Sequence, residues 1–123
     1  MSQQENLCDL KCAPCHDTTI PPLTREEIAP LLAQVPEWTL AEDAKSITRS
    51  FTFKGKSAYK DAQAFDQRFG PKICELAEAA ENQHHPDIAY GWGYWRVTFQ
   101  THAIKGLHQN DFIMAAKIDT LLK

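Results

Sequence analysis

The stretch from Ser57 to Ala80 constrains the fold more than any other part of the chain. Ala58, Ala62, Phe65, Phe69, Leu76 and Ala80 fall on one helical stripe there, so a long amphipathic helix must lay that side on a core. The segments on either side have a period of two instead. Before it, "SITRSFTFK" puts Ile47, Phe51 and Phe53 on a common face. After it, "DIAY" and "YWRVTFQT" read as a hairpin about "GWG", with Trp95, Val97 and Phe99 towards the core. A long helix between two pairs of strands needs a sheet to rest on, and strands joined by short turns make that sheet antiparallel.

The remaining elements fit the same plan. "WTLAE" reads as a strand joined to "SITRSFTFK" by a turn around Asp43 and Ala44. Thr24 with Glu27 forms a capping box and Leu23 with Ile28 a hydrophobic staple, which starts a helix running to about Gln34. Ile28, Leu31 and Leu32 face inward on it, and Pro30 should bend or shorten it. Ser57 is placed to cap the long helix. Gly70-Pro71 should kink or break it, and the pair His84-His85 before Pro86 should end it. Cys74 reads as a small buried hydrophobe. A last helix spans roughly 109 to 122, burying Phe112, Ala115, Ala116 and Leu122, with His108 at its start and Asp111 in its first turn. The class is α+β: an antiparallel sheet with helices on one face.

Size and charge narrow the function. A chain of 123 residues makes one domain with a single core. A net charge of -3 and a pI near 5.9 do not suit a dedicated nucleic-acid binder. No apolar run is long enough to span a bilayer, and "MSQQENLCDLKCAPCHD" lacks the basic start and apolar stretch of a secretory signal. A cytoplasmic location is expected, where cysteines remain thiols.

Three of the four cysteines, Cys8, Cys12 and Cys15, crowd the N-terminal segment beside His16. "CAPCH" matches the spacing of covalent haem attachment, but no export signal accompanies it. The cysteine triad also mimics an iron–sulfur motif whose enzymes use a barrel far larger than this chain. Zinc held by three thiolates and His16 is chemically sensible, although adjacent Cys15 and His16 would both have to turn towards one ion. The preferred reading is a tail, residues 1–21, that is flexible and carries reduced thiols.

His84, His85, His102 and His108 occupy a window of 25 residues. None stands at i, i+4 on a helix or i, i+2 on a strand relative to another, so their spacing is poor for metal ligation. His108 fits a helix cap. The other three sit at a helix end and a strand end, at the rim of the predicted sheet, where imidazoles could exchange protons with a bound small molecule. No G-x-S-x-G elbow and no dinucleotide fingerprint is present.

"HHPD" followed by "THAIKGLHQNDF" resembles the pterin-4a-carbinolamine dehydratases. The specific part is a spaced constellation: His84-His85-Pro86, then His102 seventeen residues after His85, then Asp111 nine residues after His102. Trp38 and "FTFK" are similar to that family too, and the likeness runs from about Leu23 to Lys123, within an expected domain of residues 22–123. The resemblance implies a four-stranded antiparallel sheet with three helices packed on one face. It implies a metal-free, cofactor-free hydro-lyase that dehydrates the 4a-hydroxy adduct of a tetrahydropterin to the quinonoid dihydropterin, recycling the pterin of an aromatic amino-acid hydroxylase. His84 and His102 would do acid/base work and His85 would hold the ring. Pro86 and the backbone of Thr101, Ala103 and Ile104 would complete the pterin site, and Asp111 would orient His102 or cap its helix. A homodimer or homotetramer is implied as well.

Two positions depart from the family pattern. The acidic residue common four places before the first histidine is Ala80 here, with Glu81 next to it, and His108 replaces a small hydroxyl cap. Two other functions stay open: a binding, assembly or transcriptional cofactor on the same fold, and a redox or metal sensor built on Cys8, Cys12 and Cys15.

Overall fold

A computed structural model describes residues 6–12, 20–80 and 82–123. Its elements in chain order are a 3₁₀ turn at Leu7–Asp9, helix α1 (Arg25–Ala33), strands β1 (Thr39–Leu40) and β2 (Ile47–Thr52), helix α2 (Ala58–Glu78), strands β3 (Asp87–Gly91) and β4 (Tyr94–Phe99), a 3₁₀ turn at His102–Ile104, and helix α3 (Gln109–Leu121). The four strands form one antiparallel sheet in the order β1-β2-β4-β3. With three α-helices beside it, the fold is α+β as expected.

Local chemistry explains most of the boundaries. Thr24 accepts from the Glu27 backbone N–H while the Glu27 carboxylate accepts from that of Thr24, the capping box read from the sequence. Pro30 lies inside α1, which continues to Ala33. The turn into β2 uses Ala44 at φ 59, with Asp43 Oδ1 accepting from the Lys45 N–H. Gly93, at φ 86, completes the two-residue turn between Gly91 and Tyr94; that left-handed conformation suits glycine.

The register explains the core. Phe51 pairs with Trp95, Arg49 with Val97 and Ile47 with Phe99, so one parity of each strand faces the helices. Ile47, Trp95, Val97 and Phe99 are fully buried there against Ile73, Phe112, Met114 and Ile118. Asp119 ties α3 to the sheet, accepting from Trp38 Nε1 at 2.8 Å and pairing with Arg49 at 2.6 Å. Leu7 of the N-terminal segment is also buried in this core, and its N–H donates to Gln34 Oε1 at 3.2 Å. Cys8 is exposed and Cys12 half-buried. Cys15 and His16, half of the candidate zinc set, lie outside the described residues.

Helix α2 corrects four expectations. It passes through Gly70 and Pro71 without a break. Pro71 removes one backbone bond, but it and Gln67, whose carbonyl loses that partner, lie on the exposed side, where water can serve. Ala62 and Phe69 are buried before the proline and Ile73 and Ala77 after it, so apolar burial on both sides holds the helix together. Continuing the helix rotates Cys74 outward, and it is exposed rather than buried. Ser57 precedes the helix as expected, yet its side chain makes no capping hydrogen bond.

The helix also ends at Glu78, six residues before His84, and Ala80 is exposed beyond its end. Two amide side chains account for the stop: Asn82 Nδ2 donates to the Leu76 carbonyl at 2.8 Å, and Gln83 Nε2 donates to that of Glu78 at 2.6 Å. Gln83 takes the left-handed conformation, φ 46, which turns the chain out of the helical path.

Candidate active site

The turn that ends α2 delivers the paired imidazoles to opposite sides. His85 precedes Pro86, so extended backbone is favoured there, and successive side chains of an extended segment point apart. His84 turns inward. It is 6% exposed and stacks on Phe99, with ring centroids 5.8 Å apart and planes within 8°. His85 turns outward, its side chain 53% exposed, and its Nε2 meets Glu78 Oε2. The segment is anchored from behind, since Lys117 Nζ of α3 donates to Asn82 Oδ1 at 2.6 Å.

Asp111 is the centre of the arrangement. Its carboxylate is fully buried in the first turn of α3. Oδ2 accepts from the Thr101 hydroxyl at 2.7 Å and from the His108 backbone N–H at 3.0 Å. Oδ1 lies 2.7 Å from His84 Nε2. A carboxylate can only accept, which places a proton on His84 Nε2. Asp111 thus caps its own helix, one of the two roles expected for it, but the imidazole it holds is His84 and not His102. The reason is burial: His102 stands exposed on the 3₁₀ turn, beyond reach of a carboxylate sealed inside.

His102 begins a loop whose neck is closed by Thr101 and Gly106, with Thr101 N–H to Gly106 O at 2.9 Å. Within it Ala103 is exposed and Ile104 buried; Pro86, across from it in sequence, is half-buried. Thr101 is buried, and it contributes a side-chain hydroxyl where only its backbone was expected to matter. Sequence reasoning also missed Glu78 and the stacking face of Phe99. Glu78 stands seven residues before His85, a spacing that a helix continued to His84 would have disguised. The expectation about Glu81 lies outside the described residues.

His108 caps α3 with its ring, Nδ1 accepting from the Asn110 N–H at 3.0 Å. That bond requires Nδ1 unprotonated. Burial lowers the His108 pKa below the ordinary 6.5; the Asp111 carboxylate opposes the shift and neighbouring His84 adds to it. Because the folded protein resists this proton and the unfolded chain takes it up near 6.5, the contribution is fully present above that pH. It is lost as pH falls through the lowered folded value. Urea titrations from pH 7.5 downward are expected to show this acid-side loss for the native chain, and a shallower loss for His108→Asn, whose amide caps without titrating.

Among the described residues no three or more His, Cys, Asp or Glu side chains group as metal ligands, and no helix is long and apolar enough to cross a membrane. Two surface depressions among the described residues lie elsewhere. One of about 430 Å³ sits by Leu7, Arg49 and Asp119, and one of about 490 Å³ runs between α2 and β3 by Pro71, Ile88 and Tyr90. Neither is lined by an imidazole, so chemistry rather than concavity singles out the histidine rim.

The domain is thus an α+β fold in which one buried carboxylate ties a His-His-Pro turn to the strand end before a third histidine. The family model for pterin 4 alpha carbinolamine dehydratase matches residues 21–121, and the chain belongs to that family, whose members are hydro-lyases. Curated relatives carry the name "Putative pterin-4-alpha-carbinolamine dehydratase". One from Aromatoleum aromaticum is 50% identical over 111 residues, covering 89% of each chain. Another, from Methylococcus capsulatus, is 51% identical over 111 residues, covering 90% of this chain and 89% of the relative. A crystal structure of a transcriptional coactivator/pterin dehydratase from Brucella melitensis is similar with a TM-score of 0.55 at 26% identity, covering 83% of this chain and 99% of that one.

Proposed function

We propose that this chain dehydrates 4a-hydroxytetrahydropterin to quinonoid dihydropterin, with residues 22–123 as the catalytic unit and His84, His85 and His102 at the pterin. The reaction breaks the C–O bond of the carbinolamine. One proton goes to the departing oxygen and one leaves the ring nitrogen, so that water is the only product besides the dihydropterin. Imidazoles suit both transfers near neutral pH. The observation that carries the reading is the Asp111 bridge, which fixes the His84 segment and the Thr101–His102 strand end to one buried group.

Different environments suggest different duties. His84, held by Asp111 and Phe99, is suited to set the geometry and to pass charge inward. His85 and His102, both exposed, are free to meet a ligand arriving from solvent. Glu78 pairs with His85 at the ring's Nε2 and fixes how that imidazole is presented. Pro86, Ala103 and Ile104 would line the same site. By the same reading the protein works in the cytoplasm as a homodimer or homotetramer and returns pterin to an aromatic amino-acid hydroxylase.

Freshly generated 4a-hydroxytetrahydropterin, followed by absorbance during its decay, is the direct test. The native protein is expected to accelerate the decay well above the spontaneous rate. No acceleration would leave the second reading, a coactivator or assembly role on this fold, for which the name of the Brucella melitensis protein gives the ground.

A further inference from the structure

We infer that Pro22 is a clamp on the His102 loop and that Gly106 is glycine to let it seat, which makes both positioning residues for the site; this rests on the dehydratase reading only where activity is concerned. The approach to α1 runs along the loop's neck, with the Leu23 N–H donating to the Leu107 carbonyl at 2.9 Å. One residue away, a Cβ added to Gly106 would lie 2.6 Å from Pro22 Cβ and 3.0 Å from its Cγ. Carbon atoms do not approach so closely, and the proline ring has no flexible end to withdraw.

Conformation does not explain this glycine. The left-handed residue of the loop is Lys105, φ 54, whereas Gly106 is not among the positive-φ glycines. Alanine could therefore take its backbone shape, and contact with Pro22 is what forbids it. Gly106 also forms the closing bridge with Thr101, N–H to O at 2.9 and 3.4 Å. Thr101 is followed by His102 and is itself bonded to Asp111. A push at Gly106 is thus delivered to the base of the His102 loop. The approach to α1 at Pro22 and Leu23 is in this way part of the site's support.

The test compares Gly106→Ala, Pro22→Gly and the two doubles Pro22→Gly/Gly106→Ala and Pro22→Ala/Gly106→Ala. The first readout is the NMR signal of the His102 ring Cε1–H in the full chain without ligand, with the His85 signal as internal reference. Gly106→Ala is expected to move the His102 signal and leave that of His85 in place. Adding Pro22→Gly should return it to the position of the Pro22→Gly single variant. Adding Pro22→Ala should not, since the clashing Cβ is kept. The second readout is kcat of the dehydration, expected to fall about tenfold in Gly106→Ala, as misplaced catalytic groups do. It should return to the level of the Pro22→Gly single variant in Pro22→Gly/Gly106→Ala but not in Pro22→Ala/Gly106→Ala.

An unmoved His102 signal in folded Gly106→Ala overturns the clamp, as does equal recovery by Pro22→Gly and Pro22→Ala. If Gly106→Ala does not fold, a folded Pro22→Gly/Gly106→Ala with the Pro22→Gly signal supports it, and an unfolded one overturns it. A native chain without dehydratase activity whose His102 signal follows this pattern would sink the reaction and leave the clamp standing.

Discussion

Asp111→Ala is expected to destabilise the fold by about 3 to 4 kcal/mol, the order found when one partner of a buried, hydrogen-bonded network is removed. Three donors lose their acceptor together: His84 Nε2, the Thr101 hydroxyl and the His108 backbone N–H. Among the described residues no buried side-chain nitrogen or oxygen lacks a partner, so the surroundings hold no idle acceptor to take over. Alanine also leaves the first turn of α3 without its reciprocal cap. Asp111→Asn should fall between, because its amide oxygen accepts but its NH₂ confronts a donor. Urea denaturation of the three proteins at pH 7 measures the order. Stabilities of both variants within about 0.5 kcal/mol of the native chain, the range of neutral surface changes, would show that the carboxylate does not organise this region.

Much of the fold was legible because its signals are local. The Thr24–Glu27 box, the "GWG" turn and the alternation of Trp95, Val97 and Phe99 each involve residues within a few positions of one another, and each is present as read. Readings failed where a distant contact overruled a local preference. Gly70-Pro71 would end an isolated helix. Here Ile73 and Ala77 bury beyond it, and their burial outweighs the missing bond. Conversely, nothing in helical periodicity announces that Asn82 and Gln83 will fold back on the last carbonyls and stop α2 at Glu78.

The site divides in the same way. Its residue types and spacing were visible, and the family likeness assigned them to a pterin. Their partners were not. Twenty-seven residues separate His84 from Asp111, and only the docking of α3 under the sheet decides that the inner histidine of the pair, and not His102, receives the carboxylate. Adjacent His84 and His85 look equivalent on paper. Extended backbone before Pro86 makes one a buried, oriented group and the other an exposed one facing Glu78.

That division yields the sharpest functional contrast, between His102→Ala and His84→Ala. His102 is exposed on a 3₁₀ turn, so removing its ring should change stability by no more than about 0.5 kcal/mol. Its loss is nevertheless expected to lower the rate of 4a-hydroxytetrahydropterin dehydration by more than about tenfold, the scale of a general acid or base. His84→Ala should lower the rate as well, but with a clear loss of stability, because it vacates the stack on Phe99 and strands Asp111 Oδ1. Measuring melting and turnover on the same preparations separates the two effects. A His102→Ala protein that turns over as fast as the native chain would remove this imidazole from the chemistry, and the proton transfers would then have to be run by the His84-His85 pair alone.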